Sequence, residues 1–418
     1  MEELQNTPTP LSDYTEENIR HLDDMEHIRT RSGMYIGRLG DGSSAEDGIY
    51  VLLKEIIDNS IDEFKMNAGK RIEINLEDNL RISVRDYGRG IPQGSLVDAV
   101  SKLNTGGKYD DKAFQKSVCL NGVVAKAANS LSARFEAHSF RDGKVRRVAF
   151  ERGVLVSDVT EPTEEDTGTY IFFEPDPTLF KHYQFHNEFV EVMLRNYTYL
   201  NTGLAIIFNG RRIASRDGLR DLLTDRMDHT PLYDIIYLKG EDISVAFTHA
   251  EQPGEEYYSF VNGQHTTLGG THQAAFKKYI AEVIKEYSGK NYEYGDIRNG
   301  LVAAISIDKC VGDFVKPQVD NYLHRNTDVA DVILAKVQRN EKERKEMSGV
   351  AKKAREMAKK ANLHNRTLRD CRVHLSDARG TQQEDSCIFI TEGDSASGSI
   401  TKSRDVNTQA VFTLRGKP

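Results

Sequence analysis

The sequence predicts an α/β (or α+β) chain of two or three domains built on mixed sheets, and three observations carry that prediction. From Tyr50 to Phe64, the residues Leu53, Ile56, Ile57, Ser60, Ile61 and Phe64 recur at the helical period and make one mostly apolar face. Downstream, Leu80, Ile82, Val84 and Asp86 alternate, as a strand with one buried side requires. At 418 residues the chain exceeds a single compact core, and its pattern of strands and helices restarts near residue 230.

Composition sets the outer limits. Hydrophobic residues at 38% and charged residues at 29% suit a globular protein. Residues 1–18 are polar and acidic, without a secretory signal, and no apolar run approaches membrane-spanning length. A cytoplasmic location without a membrane partner is expected. Cys119, Cys310, Cys371 and Cys387 are scattered without metal spacing and read as free thiols. A net charge of −8 argues against a globally basic nucleic-acid binder and leaves local basic surfaces open.

In chain order, Tyr14 to Gly37 reads as a polar arm and a short helix, and Arg38 to Gly48 as a loop. After the helix of residues 50–64 come strands from Arg71 to Leu76 and from Leu80, turned at Asp78 and Asn79. A helix from Ala125 to Leu131 is followed by a hairpin, Ala133–Phe140 with Lys144–Glu151, and by a strand opened at Thr167, Gly168 and Thr169. Asn187 to Leu200 is helical, Asn209-Gly210 turns a hairpin over 204–213, and Asp217 to Leu223 is a short helix. A second unit holds strands 234–238, 243–249, 256–262 and 301–307 around a helix starting at Thr271. From Asp328 to about Ala361 a charged helix interleaves Lys and Arg with Glu at i,i+4 spacing. It reads as solvated and self-paired, the other reading being a basic rail for a DNA backbone. A strand over 386–390 leads into Thr391 to Ala396.

Candidate chemistry sits on the first helix and the strand after it. Glu55, Asn59 and Asp62 follow at i, i+4 and i+7 and form a polar stripe. A carboxylate one turn before a carboxamide can polarise a water and offer a neutral oxygen to a hard cation such as Mg²⁺, although an ordinary solvated acidic face has the same spacing. Asp86, on the buried side of its strand, needs a hydrogen-bonding partner, either a neighbouring side chain or a ligand donor such as the amino group of adenine. Gly88, Arg89, Gly90, Ile91 and Pro92 form a turn whose glycines permit positive φ and close approach to a flat ligand. Gly106-Gly107-Lys108 and the loop from Lys116 to Ala125 lead basic residues into a helix N-terminus, which favours phosphate, without Walker spacing.

Taken together, Glu55-x-x-Asp58-Asn59, Asp86-x-Gly88-Arg89-Gly90-Ile91-Pro92, Gly106-Gly107-Lys108, Asn121-Gly122-Val123 and Thr167-Gly168-Thr169 resemble, in order and spacing, the ATPase region of the bacterial type IIA DNA topoisomerases. In that family the region belongs to the B subunits of DNA gyrase and topoisomerase IV. Val261-Asn262 with Gly269-Gly270-Thr271-His272 resembles its transducer domain, and Glu392 to Ala396 the first motif of its TOPRIM domain. The resemblance implies a GHKL-type α/β sandwich over 1–230, a transducer domain with a βαβ core over 231–375, and a TOPRIM fragment over 385–418. It implies ATP and Mg²⁺ as cofactors, Glu55 as the general base, Asn59 as a Mg²⁺ ligand and Asp86 as the acceptor for the adenine amino group, with Thr169 beside it. Gly88, Arg89, Gly90 and Pro92 would line the adenine pocket. Lys108, Lys116, Cys119, Leu120, Asn121, Gly122 and Val123 would cover the phosphates, Arg147 would lie near the pocket mouth, and Tyr14 would reach into the partner protomer. Glu392 would bind Mg²⁺ at a DNA-cleavage site whose later Asp-x-Asp is not in this chain, so the chain alone is not expected to cleave DNA. The implied partners are double-stranded DNA, a second copy joined through the ATPase domain as a homodimer, and the DNA-cleaving topoisomerase A-type subunit.

Three departures qualify the resemblance. The family's phosphate loop carries glycines where this chain has Cys119 and Val124, and valine where φ > 0 is required would cost about 1–3 kcal/mol. The transducer's Gln-Thr-Lys loop is matched poorly by Gln318-Val319-Asp320 and reads as deleted, with Lys309 or Lys316 as weak substitutes. Ser32 replaces a proline, which is expected to be harmless. Weakened turnover is therefore expected, the alternatives being a non-hydrolysing dimerisation remnant or another protein of the same ATPase superfamily, such as a MutL-type protein, a histidine kinase or a heat-shock chaperone.

Overall fold

A computed structural model describes residues 22–103, 105, 124–307, 312–364, 368–369, 387–392 and 394–414. Two short helices, α1 (Asp24–Thr30) and α2 (Gly33–Ile36), precede α3 (Gly48–Lys65). The helix α1 is capped by Asp23, whose carboxylate accepts from the Glu26 N–H at 2.8 Å. After α3 the chain runs through β1 (Arg71–Glu77), β2 (Arg81–Asp86), α4 (Leu96–Ser101), α5 (Val124–Ser130), β3 (Ser132–Arg141), β4 (Lys144–Glu151), β5 (Val154–Pro162) and β6 (Gly168–Pro175). It continues as α6 (Asn187–Leu200), β7 (Ala205–Phe208), β8 (Arg211–Ala214) and α7 (Leu219–Arg226).

These strands make one mixed sheet in the order β5-β4-β3-β6-β2-β1-β7-β8, in which only β1 and β7 pair in parallel. Its register fixes which side chains share a face. Ile82 lies opposite Phe173, Val84 opposite Ile171, Phe135 opposite Phe173, and Ala137 opposite Ile171. Directly opposed residues point the same way, so this face is buried against α3, α4 and α5 in a core that includes Ile49, Leu53, Ile57 and Ile61. Leu80, expected on the buried strand face, is instead exposed in the turn before β2. The sequence also showed no strand over 154–162. Val154, Leu155, Val156 and Val159 are exposed on this edge strand, so it carries no burial periodicity.

A second sheet, β12-β11-β13-β10-β9, is built from β9 (Ile236–Lys239), β10 (Ile243–His249), β11 (Glu256–Val261), β12 (Gln264–His265) and β13 (Leu301–Ile307). The long helix α8 (Thr271–Ser288) and the short α9 (Tyr294–Arg298) follow β12, and α10 (Gly312–Arg325) follows β13. Leu219, Leu222 and Leu223 of α7 share their core with Ala246, Phe260, Val302 and Ala304 of this sheet. The cores of the two sheets meet at the end of α6, where Tyr197 belongs to the first and Tyr199 to the second.

The charged helix is α11 (Thr327–His364), with pairs such as Lys345 to Glu341 at 2.7 Å along its surface. The remainder, described by itself, holds β14 (Leu368–Arg369), β15 (Cys387–Glu392), α12 (Asp394–Ser403) and β16 (Gln409–Leu414). They form a three-stranded sheet, β14-β16-β15, with β15 and β16 parallel. No helix among the described residues is long and apolar enough to cross a membrane.

Candidate nucleotide site

Asp86 ends β2 on the buried face and meets α3 there. One carboxylate oxygen accepts from the Gly88 N–H at 2.9 Å and the Thr169 N–H at 3.2 Å, and the other from the Ser60 hydroxyl at 3.2 Å. Burial pushes the Asp86 carboxyl up to about 6, against the lowering effect of those backbone hydrogen bonds, and the Glu63 charge adds to the rise. A buried acid with three neutral donors and lone-pair capacity to spare suits a further donor from a ligand.

The turn after Asp86 is shaped by close approach. Gly90 has φ +70°, and a Cβ there would stand 2.8 Å from the Phe140 carbonyl oxygen. Gly168, at φ +150°, backs onto Asp86 so closely that a Cβ would lie 2.1 Å from its carbonyl oxygen. Gly88 is needed for space, since its Cβ would be 2.7 Å from the Glu63 Cβ. Glu63 itself clamps the turn: its carboxylate accepts from the Arg89 N–H at 2.9 Å, from Arg89 Nε at 2.9 Å and from Arg89 Nη2 at 2.8 Å. Pro92 is exposed at the start of a single 3₁₀ turn.

On α3, Glu55 and Asn59 are part-buried, and the Asn59 amide nitrogen donates to the Glu55 carbonyl at 2.9 Å, which leads its amide oxygen the other way. The polar row continues at Glu63, not at Asp62, which is fully buried. One helical position is about 100° of rotation, so i+8 and i+7 fall on different sides of the edge. Helical spacing puts Ser60 on the apolar face and by itself gives Asp58 no role, yet both make buried polar contacts. The i+4 repeat Glu55, Asn59, Glu63 was the signal available for Glu63. Lys126 was missed as well: it is buried on α5, and its ammonium donates to the Thr105 carbonyl at 2.7 Å.

The resemblance puts Arg147 near the pocket mouth, and the structure places it on β4. Register puts Arg147 opposite His138, and His138 opposite Tyr170, on the face away from Asp86. Its guanidinium pairs with Glu161. The neighbour Arg146 is opposite Ser139, which is opposite Thr169, so Arg146 shares the face of Asp86. It donates to the Gln93 carbonyl and holds Asp158 at 2.7 Å.

Tyr14, Lys108, Lys116, Cys119, Leu120, Asn121, Gly122, Val123 and Lys309 lie outside the described residues. Val124 opens α5, and Glu392 is exposed at the end of β15. Lys316, considered as a substitute phosphate contact, is paired with Glu286 of α8 at 2.9 Å. A groove of about 620 Å³ lined by Glu282, Lys285, Lys290 and Lys316, among others, lies on the second sheet's helices, and Lys316 alone of the candidate residues lines it. Among the described residues, no cluster of three or more His, Cys, Asp or Glu could hold a metal by itself. A cation held by Asn59 would thus need its remaining ligands from phosphate and water, as a Mg²⁺–nucleotide supplies.

Comparison with known proteins identifies the family. The family described as histidine kinase-, DNA gyrase B-, and HSP90-like ATPase matches residues 44–178, and the DNA gyrase B family matches residues 218–309. The chain is 45% identical to the B subunit of DNA topoisomerase 4 from Borreliella burgdorferi, over 97% of this chain and 71% of that protein. It is 31% identical to the B subunit of DNA gyrase from Thermotoga maritima, again over 97% and 71%. Among solved structures, the 43K ATPase domain of Thermus thermophilus gyrase B, in complex with an aminocoumarin, superposes with a TM-score of 0.66 at 25% identity, covering 80% of this chain and 98% of that one. The ATPase region of Saccharomyces cerevisiae topoisomerase II shares the fold at TM-score 0.60 and 21% identity, over 77% of this chain and all of that one. Fold, buried acid, glycine turn and relatives converge: the chain belongs to the ATP-hydrolysing family of type IIA topoisomerase components formed by the B subunits of DNA gyrase and topoisomerase IV.

Proposed function

We propose that the α3–β2 junction binds ATP and that its hydrolysis drives a dimeric clamp around double-stranded DNA, in partnership with an A-type cleavage subunit. The observation that carries this reading is Asp86, buried and held by Gly88, Thr169 and Ser60 at the foot of the helix bearing Glu55 and Asn59. Asp86 accepts from the adenine amino group, Glu55 orients and deprotonates the attacking water, and Asn59 supplies an amide oxygen to Mg²⁺. When bound, Mg²⁺ neutralises phosphate charge. Positioning and electrostatics of this kind do most of the work in phosphoryl transfer. Gly90 and Gly168 let the turn and the start of β6 pack closely around Asp86.

Calorimetric titration with a non-hydrolysable ATP analogue, paired with a steady-state ATPase assay, tests the proposal. Glu55→Gln should keep analogue affinity and lower turnover by about 10²-fold or more, the range of a lost general base. Unchanged turnover would remove Glu55 from the role, and absence of analogue binding in the parent chain would end the reading. The substitutions at Cys119 and Val124 favour one second reading, a clamp that binds nucleotide but turns it over slowly. Binding with very low turnover in the parent chain would select it.

A further inference from the structure

Between Glu55 and Asn59, the carboxylate of Asp58 is fully buried and gathers donors from three elements. Lys54 of the same helix donates at 2.9 Å, the Tyr197 hydroxyl of α6 donates to the other oxygen, and Gln264 Nε2 of β12 donates at 3.2 Å. Gln264 is 206 residues away in sequence and belongs to the second sheet. The Tyr197 hydroxyl is fully enclosed, and burial together with the Asp58 charge pushes its pKa well up, so it stays a donor at any working pH. A carboxylate buried among neutral and cationic donors is fixed in place, because each donor that leaves exposes an unmet acceptor.

We infer that Gln264, through Asp58, is a positioning residue that couples the second-sheet domain to the nucleotide helix. The inference rests on the nucleotide-site reading above. A movement of α3 that aligns Glu55 and Asn59 on a nucleotide carries Asp58 with it, since all three lie within five residues of one helix. Asp58 then pulls on the hairpin of β11 and β12 through one hydrogen bond. The coupling is reciprocal: a shift of that hairpin reorients Glu55 and Asn59 by the same free energy. No motif announces this contact, because it depends on a single glutamine at a hairpin turn and a carboxylate masked between two candidate site positions.

The test is hydrogen–deuterium exchange on the full chain, with and without the imido analogue of ATP plus Mg²⁺, for the parent, Gln264→Leu and Gln264→Lys. Leucine removes the donor at a part-buried edge position, and lysine restores one. In the parent the analogue should slow exchange in residues 256–265 by about 5-fold or more. In the leucine variant that slowing should fall below about 2-fold while analogue affinity falls by no more than about 5-fold, the size of the coupling itself, and lysine should recover both. An unaltered hairpin response in the leucine variant overturns the inference, as does a hairpin in the parent that ignores bound analogue. A fall in analogue affinity of about 20-fold or more in the leucine variant also overturns it, since that exceeds the roughly 5-fold that reciprocal coupling allows and Gln264 would then act in binding. Failure of the parent to bind the analogue is a different result: it removes the nucleotide-site reading itself, and this coupling with it.

Discussion

Burial sets the titration of Asp86, and the direction of its shift fixes a pH dependence. Its folded-state pKa of about 6 lies above the ordinary 3.8, so the folded chain holds a proton that the unfolded chain releases between those values. The stability this proton contributes is complete below about pH 4 and is lost as pH rises through 6. Two units at about 1.4 kcal/mol each give about 3 kcal/mol. Asp86→Asn cannot ionise, so its unfolding free energy relative to the parent should rise by about 2–3 kcal/mol between pH 4 and pH 7, as read from urea titrations. A difference that stays flat across that range would mean the carboxyl titrates normally. Asp176 behaves in the opposite sense. Burial would raise it, but hydrogen bonds from Arg29, Thr178 and Arg152 hold it down at about 2. Its contribution is present above about pH 4 and fades as pH falls toward 2.

Among the elements, the β2 turn and the start of β6 form one tightly fitted unit, and Gly168 is its most demanding position. An added Cβ would meet the Asp86 carbonyl at 2.1 Å on a backbone with φ +150°. Gly168→Ala should destabilise the chain by about 3 kcal/mol or more, whereas Gly210→Ala, with positive φ but open space around it, should cost only about 1 kcal/mol. Denaturation midpoints for the pair check this, and equal costs would show that the close approach relaxes. At this scale the sequence was readable where a local period carried the signal. The α3 face and the Ile82–Val84–Asp86 row follow from helical and strand spacing alone. The edge strand β5 gave no such signal, because none of its residues is buried. Small shifts in phase also mattered. One position along the helix separates buried Asp62 from Glu63, and one along β4 sends Arg147 and Arg146 to opposite faces.

For the whole molecule, motif order across the chain made the family legible, whereas contacts between distant segments were not. The donation from Gln264 to Asp58 and the sharing of α7 with the second sheet depend on tertiary structure that no window of sequence contains. Turnover belongs to this scale too, since it depends on groups from several segments at once. The double substitution Cys119→Gly with Val124→Gly should raise ATPase activity by about 10-fold or more if the loop's backbone approach to phosphate limits the parent. Equal rates would clear those two positions. Tyr197 and Tyr199, two residues apart on one helix, anchor in different hydrophobic cores. Neither core can then melt without fraying the last turn of α6 that the other needs. The two sheets should accordingly lose structure in one cooperative thermal transition, with calorimetric and van't Hoff enthalpies in agreement, and Tyr197→Ala should split that single peak in two.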